Sequence, residues 1–129
     1  MEFLQPANWP RPKGYSNGIV AEGRMLFLGG QVGWDETETF HSDNFVDQVR
    51  QALQNTVTLL KEADATAENI VRMTWYITNK HEYLDSLREV GKVYKEIIGN
   101  HYPVMAMVQV AALIEDDAKV EIEVTAMLP

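Results

Sequence analysis

The sequence contains no cysteine. That excludes disulfides, thiolate metal ligands, iron–sulfur clusters and a cysteine nucleophile. It also suits a reducing compartment. Positive charge is scarce: eleven Lys and Arg stand against nineteen Asp and Glu, a formal charge of −8. A chain of that sign gains little from a phosphate backbone, so no nucleic-acid partner is expected. No run approaches the about 20 apolar residues of a membrane span. Met-Glu-Phe-Leu-Gln-Pro lacks the basic-then-apolar order of a secretory signal. The expectation is a cytoplasmic protein with no membrane partner. The common chemical signatures are missing too. Gly29, Gly30 and Gly33 do not spell GxGxxG, and no GK[ST] follows. His41, His81 and His101 are far apart and form no His-x-x-x-His or Glu-x-x-His pair, so no metal site is expected. Glu115-Asp116-Asp117 has neither the spaced ligands nor the glycine of a calcium loop. No serine occupies Gly-x-Ser-x-Gly.

What is present is ordinary globular material: 129 residues, 46% hydrophobic and 23% charged. That is one domain, 1–129, able to bury about two-thirds of its unfolded surface without staples. Pro6, Pro10 and Pro12 make the first residues an extended arm, because proline lacks the donor a helix or central strand needs. Phe3 and Trp9 are expected to dock that arm on the body or on a neighbouring subunit. Residues 18–22 and 24–28 flank Gly23 and read as a hairpin. The glycines from 29 to 33 break the pattern, and a polar loop follows to Asp43.

From 44 to 63 the apolar period becomes helical, with Phe45, Val49, Ala52, Leu53, Thr56, Val57 and Leu60 on one stripe. Ser42 or Asp43 suits the N-cap, since a short oxygen-bearing side chain accepts from a free first-turn N–H. Residues 70–77 are rich in strand formers. Residues 83–98 predict a second helix, stopped by Gly99. Residues 104–113 are apolar throughout, as in a strand covered on both faces. Residues 119–127 alternate cleanly. The order β-β-α-β-α-β-β predicts an α+β domain: a mixed sheet, two helices on one face and hairpins at both ends. Two helices cover only one face, so a second copy of the chain is expected on the other. Glu121 and Glu123 share one side of the last strand.

Several stretches carry a family resemblance. They are Lys-Gly-Tyr-Ser-Asn-Gly at 13–18, Leu-Phe-Leu-Gly-Gly-Gln-Val-Gly at 26–33 and Gln-Val-Arg-Gln-Ala-Leu-Gln-Asn at 48–55. Asn-Ile-Val-Arg-Met-Thr-Trp-Tyr-Ile at 69–77, Tyr-Pro-Val-Met-Ala-Met-Val-Gln-Val-Ala-Ala-Leu at 102–113 and Lys-Val-Glu-Ile-Glu-Val at 119–124 complete them. In this order the chain resembles the RidA (YjgF) family of enamine/imine deaminases along nearly its whole length. The resemblance implies a chorismate-mutase-like fold and a homotrimer with small-molecule clefts between subunits. It also implies hydrolysis of reactive imines and enamines, such as 2-aminoacrylate, to ketoacid and ammonia, with no metal or organic cofactor. Some members carry endoribonuclease names, against which the acidic charge weighs.

Position by position, the family's pocket tyrosine falls on Tyr15 and its water-positioning glutamate on Glu121. These are the expected catalytic residues. The Gly-Gln pair is Gly30-Gln31. The serine before it is Gly29, the asparagine of the second helix falls at Gly91, and a cysteine becomes Met107. The substrate-gripping arginine becomes Met105. With Met105, Met107, Gly29, Gly30, Gln31 and Gly91 as the substrate-binding set, the cleft is expected to be larger and more apolar. A guanidinium holds a carboxylate through paired charge-assisted bonds. Its loss costs on the order of 2–5 kcal/mol of binding, and methionine offers a flexible apolar wall instead. Two functions follow: hydrolysis of an imine or enamine without the usual carboxylate, or a non-catalytic small-molecule-binding trimer. Arg11, Arg24, Arg50, Arg72 and Arg88 remain as cations that another subunit could bring to the cleft.

Overall fold

The computed structural model describes residues 1–129. Its strands are β1 (Glu2–Leu4), β2 (Gly18–Val20), β3 (Arg24–Val32), β4 (Ile70–Ile77), β5 (Val104–Gln109) and β6 (Val120–Leu128). Its α-helices are α1 (Phe45–Glu62), α2 (Lys80–Leu84) and α3 (Leu87–Ile97). The main sheet has the order β3-β6-β4-β5, with β6 antiparallel to both neighbours and β4 parallel to β5. This is the expected α+β class, a mixed sheet with α1 and α3 on one face. No helix is long and apolar enough to cross a membrane.

The alternation of β6 builds the core. Val120, Ile122, Val124, Ala126 and Leu128 join Met73, Trp75 and Ile77 of β4 beneath Val49, Leu53 and Leu60 of α1 and Val90 and Val93 of α3. The odd-numbered residues, Glu121, Glu123, Thr125 and Met127, point to the opposite face. No helix covers that face, and Met25 and Phe27 of β3 and Val108 of β5 are exposed.

The pairing differs from the expected hairpins. β2 pairs with β1, not with β3, so the proline-rich arm opens on a strand of a separate two-stranded sheet. Gly23 makes this possible: at φ +133° it turns the chain from β2 to β3, and any Cβ there would strike the Leu128 carbonyl. β5 and β6 are not a hairpin either, because β6 inserts between β3 and β4. The glycines after Leu28 do not end β3; they form an irregularity between Leu28 and Gln31, and pairing continues to Val32. The helix expected over 83–98 is two helices. The Ser86 hydroxyl donates to the Glu82 and Tyr83 carbonyls at 2.6 and 3.3 Å and closes α2 before α3 begins. β5 stops at Gln109, and Ala106, Val108 and Gln109 are exposed rather than buried on both faces. The N-cap of α1 is Asn44, which accepts from the Asp47 N–H, while the Ser42 hydroxyl bonds Asp47 and the Asn44 N–H. Phe3 and Trp9 remain half-exposed, Phe3 edge-on to His101.

Two polar residues are buried here, Thr56, whose hydroxyl donates to the Ala52 carbonyl, and Gln48, which is 1% exposed. The Gln48 amide donates to the carbonyls of Ser42 and Asp117 at 3.0 and 2.9 Å, and its oxygen accepts from the Lys119 N–H at 2.8 Å. One side chain thus ties α1 to the loops before it and before β6. Gly33 packs flat on it; a Cβ there would lie 2.5 Å from that of Gln48. In the loop between β3 and α1, Asp35 accepts from Thr37, His41 and the Thr39 N–H, and those bonds, led by the Thr37 hydroxyl, hold its carboxyl well below the usual range.

Candidate functional site

The segment 13–17 is pinned to the start of β5. The Ser16 hydroxyl donates to the Tyr102 carbonyl, and the Ser16 N–H donates to the Pro103 carbonyl at 3.0 Å. Gly14, at φ +79°, turns the backbone here and separates two hollows. Tyr15 lies in the outer one, a groove of about 610 Å³ shared with Phe3, Trp9, Arg11, His101 and Tyr102. Lys13 and Gly14 line the inner one, a cavity of about 260 Å³ between the sheet and α3.

The inner cavity is built by register. Met105 and Met107 of β5 lie beside Met73 and Trp75 of β4, on the helix-facing side of the sheet. Tyr83, Leu87, Val90, Gly91 and Tyr94 close it from above. A Cβ at Gly91 would meet nothing within 4 Å, so the glycine leaves open space. Tyr94 stacks on Tyr102 with ring centroids 5.5 Å apart, and its hydroxyl donates to the His101 carbonyl at 2.7 Å. Burial, then the neighbouring Tyr102, push the Tyr94 phenol well above its ordinary value, so it stays a neutral donor. None of the five arginines lines this cavity. Arg50 is taken by Glu96 at 2.7 Å, joining α1 to α3.

Glu121 is elsewhere. It projects from the open face of the sheet, paired with Tyr76 on one side and Val32 on the other. Its carboxyl lies along the backbone of β3, where a Cβ at Gly30 would collide with it. Gly29 borders open space, and the Gln31 amide folds back to the Gly29 carbonyl at 3.2 Å. The three ion pairs of the chain, His41–Asp35, Arg50–Glu96 and Lys119–Glu82, leave Glu121 without a cation. Within one chain, then, the structure brings Met105, Met107 and Gly91 together. It brings Gly30 to Glu121 on the opposite face, and leaves Tyr15 in the outer groove. Lys13, Trp75, Tyr83 and Tyr102 line the cavity without having been singled out for it. Nothing in their local patterns marks them, because the strand, helix and arm that meet there are distant in sequence.

A four-stranded mixed sheet carrying two helices on one face, with a largely apolar cavity under α3, is the architecture of a RidA-like domain. A family model described as Endoribonuclease L-PSP matches residues 8–128, and the chain belongs to this RidA (YjgF) family. The 2-iminobutanoate/2-iminopropanoate deaminase of Homo sapiens is 28% identical over 114 residues, 88% of this chain and 79% of the human protein. YyfB of Yersinia pestis, from the conserved Rid protein family, matches with a TM-score of 0.86 at 26% identity over 98% of each chain. TdcF of Escherichia coli, solved with bound serine, matches with a TM-score of 0.70 at 30% identity over all of both chains.

Proposed function

We propose that the protein works as a homotrimer with small-molecule clefts between subunits, and that it hydrolyses an imine or enamine to a carbonyl compound and ammonia. The observation that carries this reading is the split between the two groups. The Met105 surface and the Glu121 surface are on opposite faces of one sheet, so one substrate can touch both only where two chains meet. The uncovered face with Met25, Phe27 and Val108 supports such a contact. The human relative's name supports the reaction class.

In this reading Glu121, free of any cation, accepts a hydrogen bond from water and directs it at the C=N carbon. The C–O bond forms as the proton passes to nitrogen. The C–N bond then breaks as the new hydroxyl's proton passes to nitrogen, releasing ammonia and leaving the carbonyl. Tyr15 hydrogen-bonds the substrate. Met105 takes the place of an ionic grip and, with Met107, offers an apolar wall, so the favoured substrate is bulkier and more apolar than 2-iminopropanoate.

Light scattering at micromolar concentration is expected to give a trimer; a monomer would overturn the shared cleft. In an assay coupled to an amino-acid oxidase, small 2-imino acids should be hydrolysed at least about 30-fold more slowly than by the human relative. That is the factor which about 2 kcal/mol of lost anchoring represents. Equal rates would show that another group supplies the anchor. The loss of a cation at position 105 favours a second reading, a trimer that binds without turnover. Ligand binding with no hydrolysis across a broad imine panel would decide for it.

A further inference from the structure

The arm that walls the outer groove is closed by a clasp. The Gln5 amide nitrogen donates to the Trp9 and Pro10 carbonyls at 3.2 and 3.1 Å, and its oxygen accepts from the Asn17 amide at 2.8 Å. The partners fix these orientations. A carbonyl only accepts, so Gln5 turns its nitrogen toward Trp9 and Pro10 and its oxygen toward Asn17. Asn17 is thereby required to donate. The rest of the arm's attachment is slight: residues 1–10 are exposed, β1 meets β2 in three residue pairs, and Phe3 lies edge-on to His101. Asn17 is also the one asparagine of seven that precedes glycine; the others precede Trp, Phe, Thr, Ile, Lys and His. Such a pair can cyclise, because a residue without a Cβ lets its N–H approach the preceding side chain unhindered. Asn17 lies in an exposed bend outside any helix or strand. Gly18 pairs with Leu4 at the end of the short ladder, where opening costs least.

We propose that Asn17 is a site of spontaneous deamidation and that the change unfastens the arm. The Gly18 nitrogen attacks the Asn17 side-chain carbonyl carbon, and the new C–N bond closes a five-membered imide. The Gly18 proton passes to the amide nitrogen, which leaves as ammonia. Solvent water then opens the ring at either carbonyl: its hydroxyl joins the carbon and its proton returns to the ring nitrogen. Aspartate or isoaspartate remains at position 17, one water having entered and one ammonia having left. Neither product donates, so a carboxylate faces the Gln5 oxygen, and a chain already at −8 gains another negative charge. Gln5 can offer its nitrogen to that carboxylate only by giving up the Trp9 and Pro10 carbonyls. Phe3 and Trp9, which wall the groove with Tyr15, then lose a fastening. This inference stands apart from the hydrolytic reading and needs no turnover.

The test begins with the full chain aged in warm buffer, digested and read by mass spectrometry. The peptide containing Asn17 should gain the mass that separates OH from NH2, as both aspartate and isoaspartate. Peptides containing the other six asparagines should stay unchanged. Asn17→Ser, aged in parallel, should show no gain at that position. Asn17→Asp reads the consequence directly. Amide hydrogen exchange over residues 2–4 and 18–20 should quicken about fivefold, the factor that a hydrogen bond of about 1 kcal/mol represents. Exchange in β4 and β6 should not move, which separates a loosened arm from a loosened fold. In a Gln5→Ala background the same substitution should add nothing, since the clasp is already gone. No conversion at Asn17, or conversion spread evenly over the other asparagines, would overturn the site. Unchanged exchange in Asn17→Asp, or an equal quickening without Gln5, would overturn its effect on the arm.

Discussion

Replacing Gln48 with methionine should destabilise the protein by about 3 kcal/mol, one of the two largest effects expected of a single substitution. Methionine matches the side chain in length, so packing is kept while three hydrogen bonds are lost. The carbonyls of Ser42 and Asp117 and the N–H of Lys119 would lose their partner, and each part-buried group left unmade costs about 1 kcal/mol or more. The melting temperature should fall by about 10 °C or more. Gln54, exposed on the same helix, is the control: Gln54→Met should stay within about 0.5 kcal/mol. Denaturant titration of both variants measures the difference. A loss below about 1 kcal/mol for Gln48→Met would mean that water or backbone movement replaces the clamp.

The second large effect is on catalysis. Glu121→Gln should lower single-turnover hydrolysis of imines by roughly 10²-fold or more, the usual contribution of a general acid–base group. Glutamine keeps the shape that fits over Gly30, so the trimer and the ligand affinity, by calorimetry on the same compounds, should change only within a few-fold. Unchanged hydrolysis in the variant would remove Glu121 from the mechanism.

Much of the fold could be read from local pattern, and the failures share one cause. The strand expected over 70–77 is β4, and the alternation from 119 to 127 is β6 shifted by one residue. Both signals are periodic and confined to one segment. The hairpins failed because turn residues at Gly23 reveal a change of direction but not the partner. That choice was made by β6, about a hundred residues away. Ser86 breaks the second helix through its own hydroxyl, a competition with the backbone that apolar periodicity does not register. At the site, Met105, Met107 and Gly91 could be named from family likeness, and they do converge. Lys13 and Trp75 could not, because each is unremarkable within its own segment. A surface lysine and a strand tryptophan come to line one cavity only when the arm folds over the parallel β4–β5 edge.

The insertion of β6 between β3 and β4 also orders events in time. As the chain emerges during synthesis, β3 and β4 are both complete long before their shared neighbour exists. Within the main sheet only the parallel β4–β5 pair can form earlier, and parallel pairing is slow. Until Val120 and its successors arrive, the apolar residues of α1 and α3 have half a floor to rest on, and two strand edges lie bare. The nascent protein is therefore most vulnerable to aggregation in the interval before β6 emerges, and the strand that ends this exposure is the one that carries Glu121.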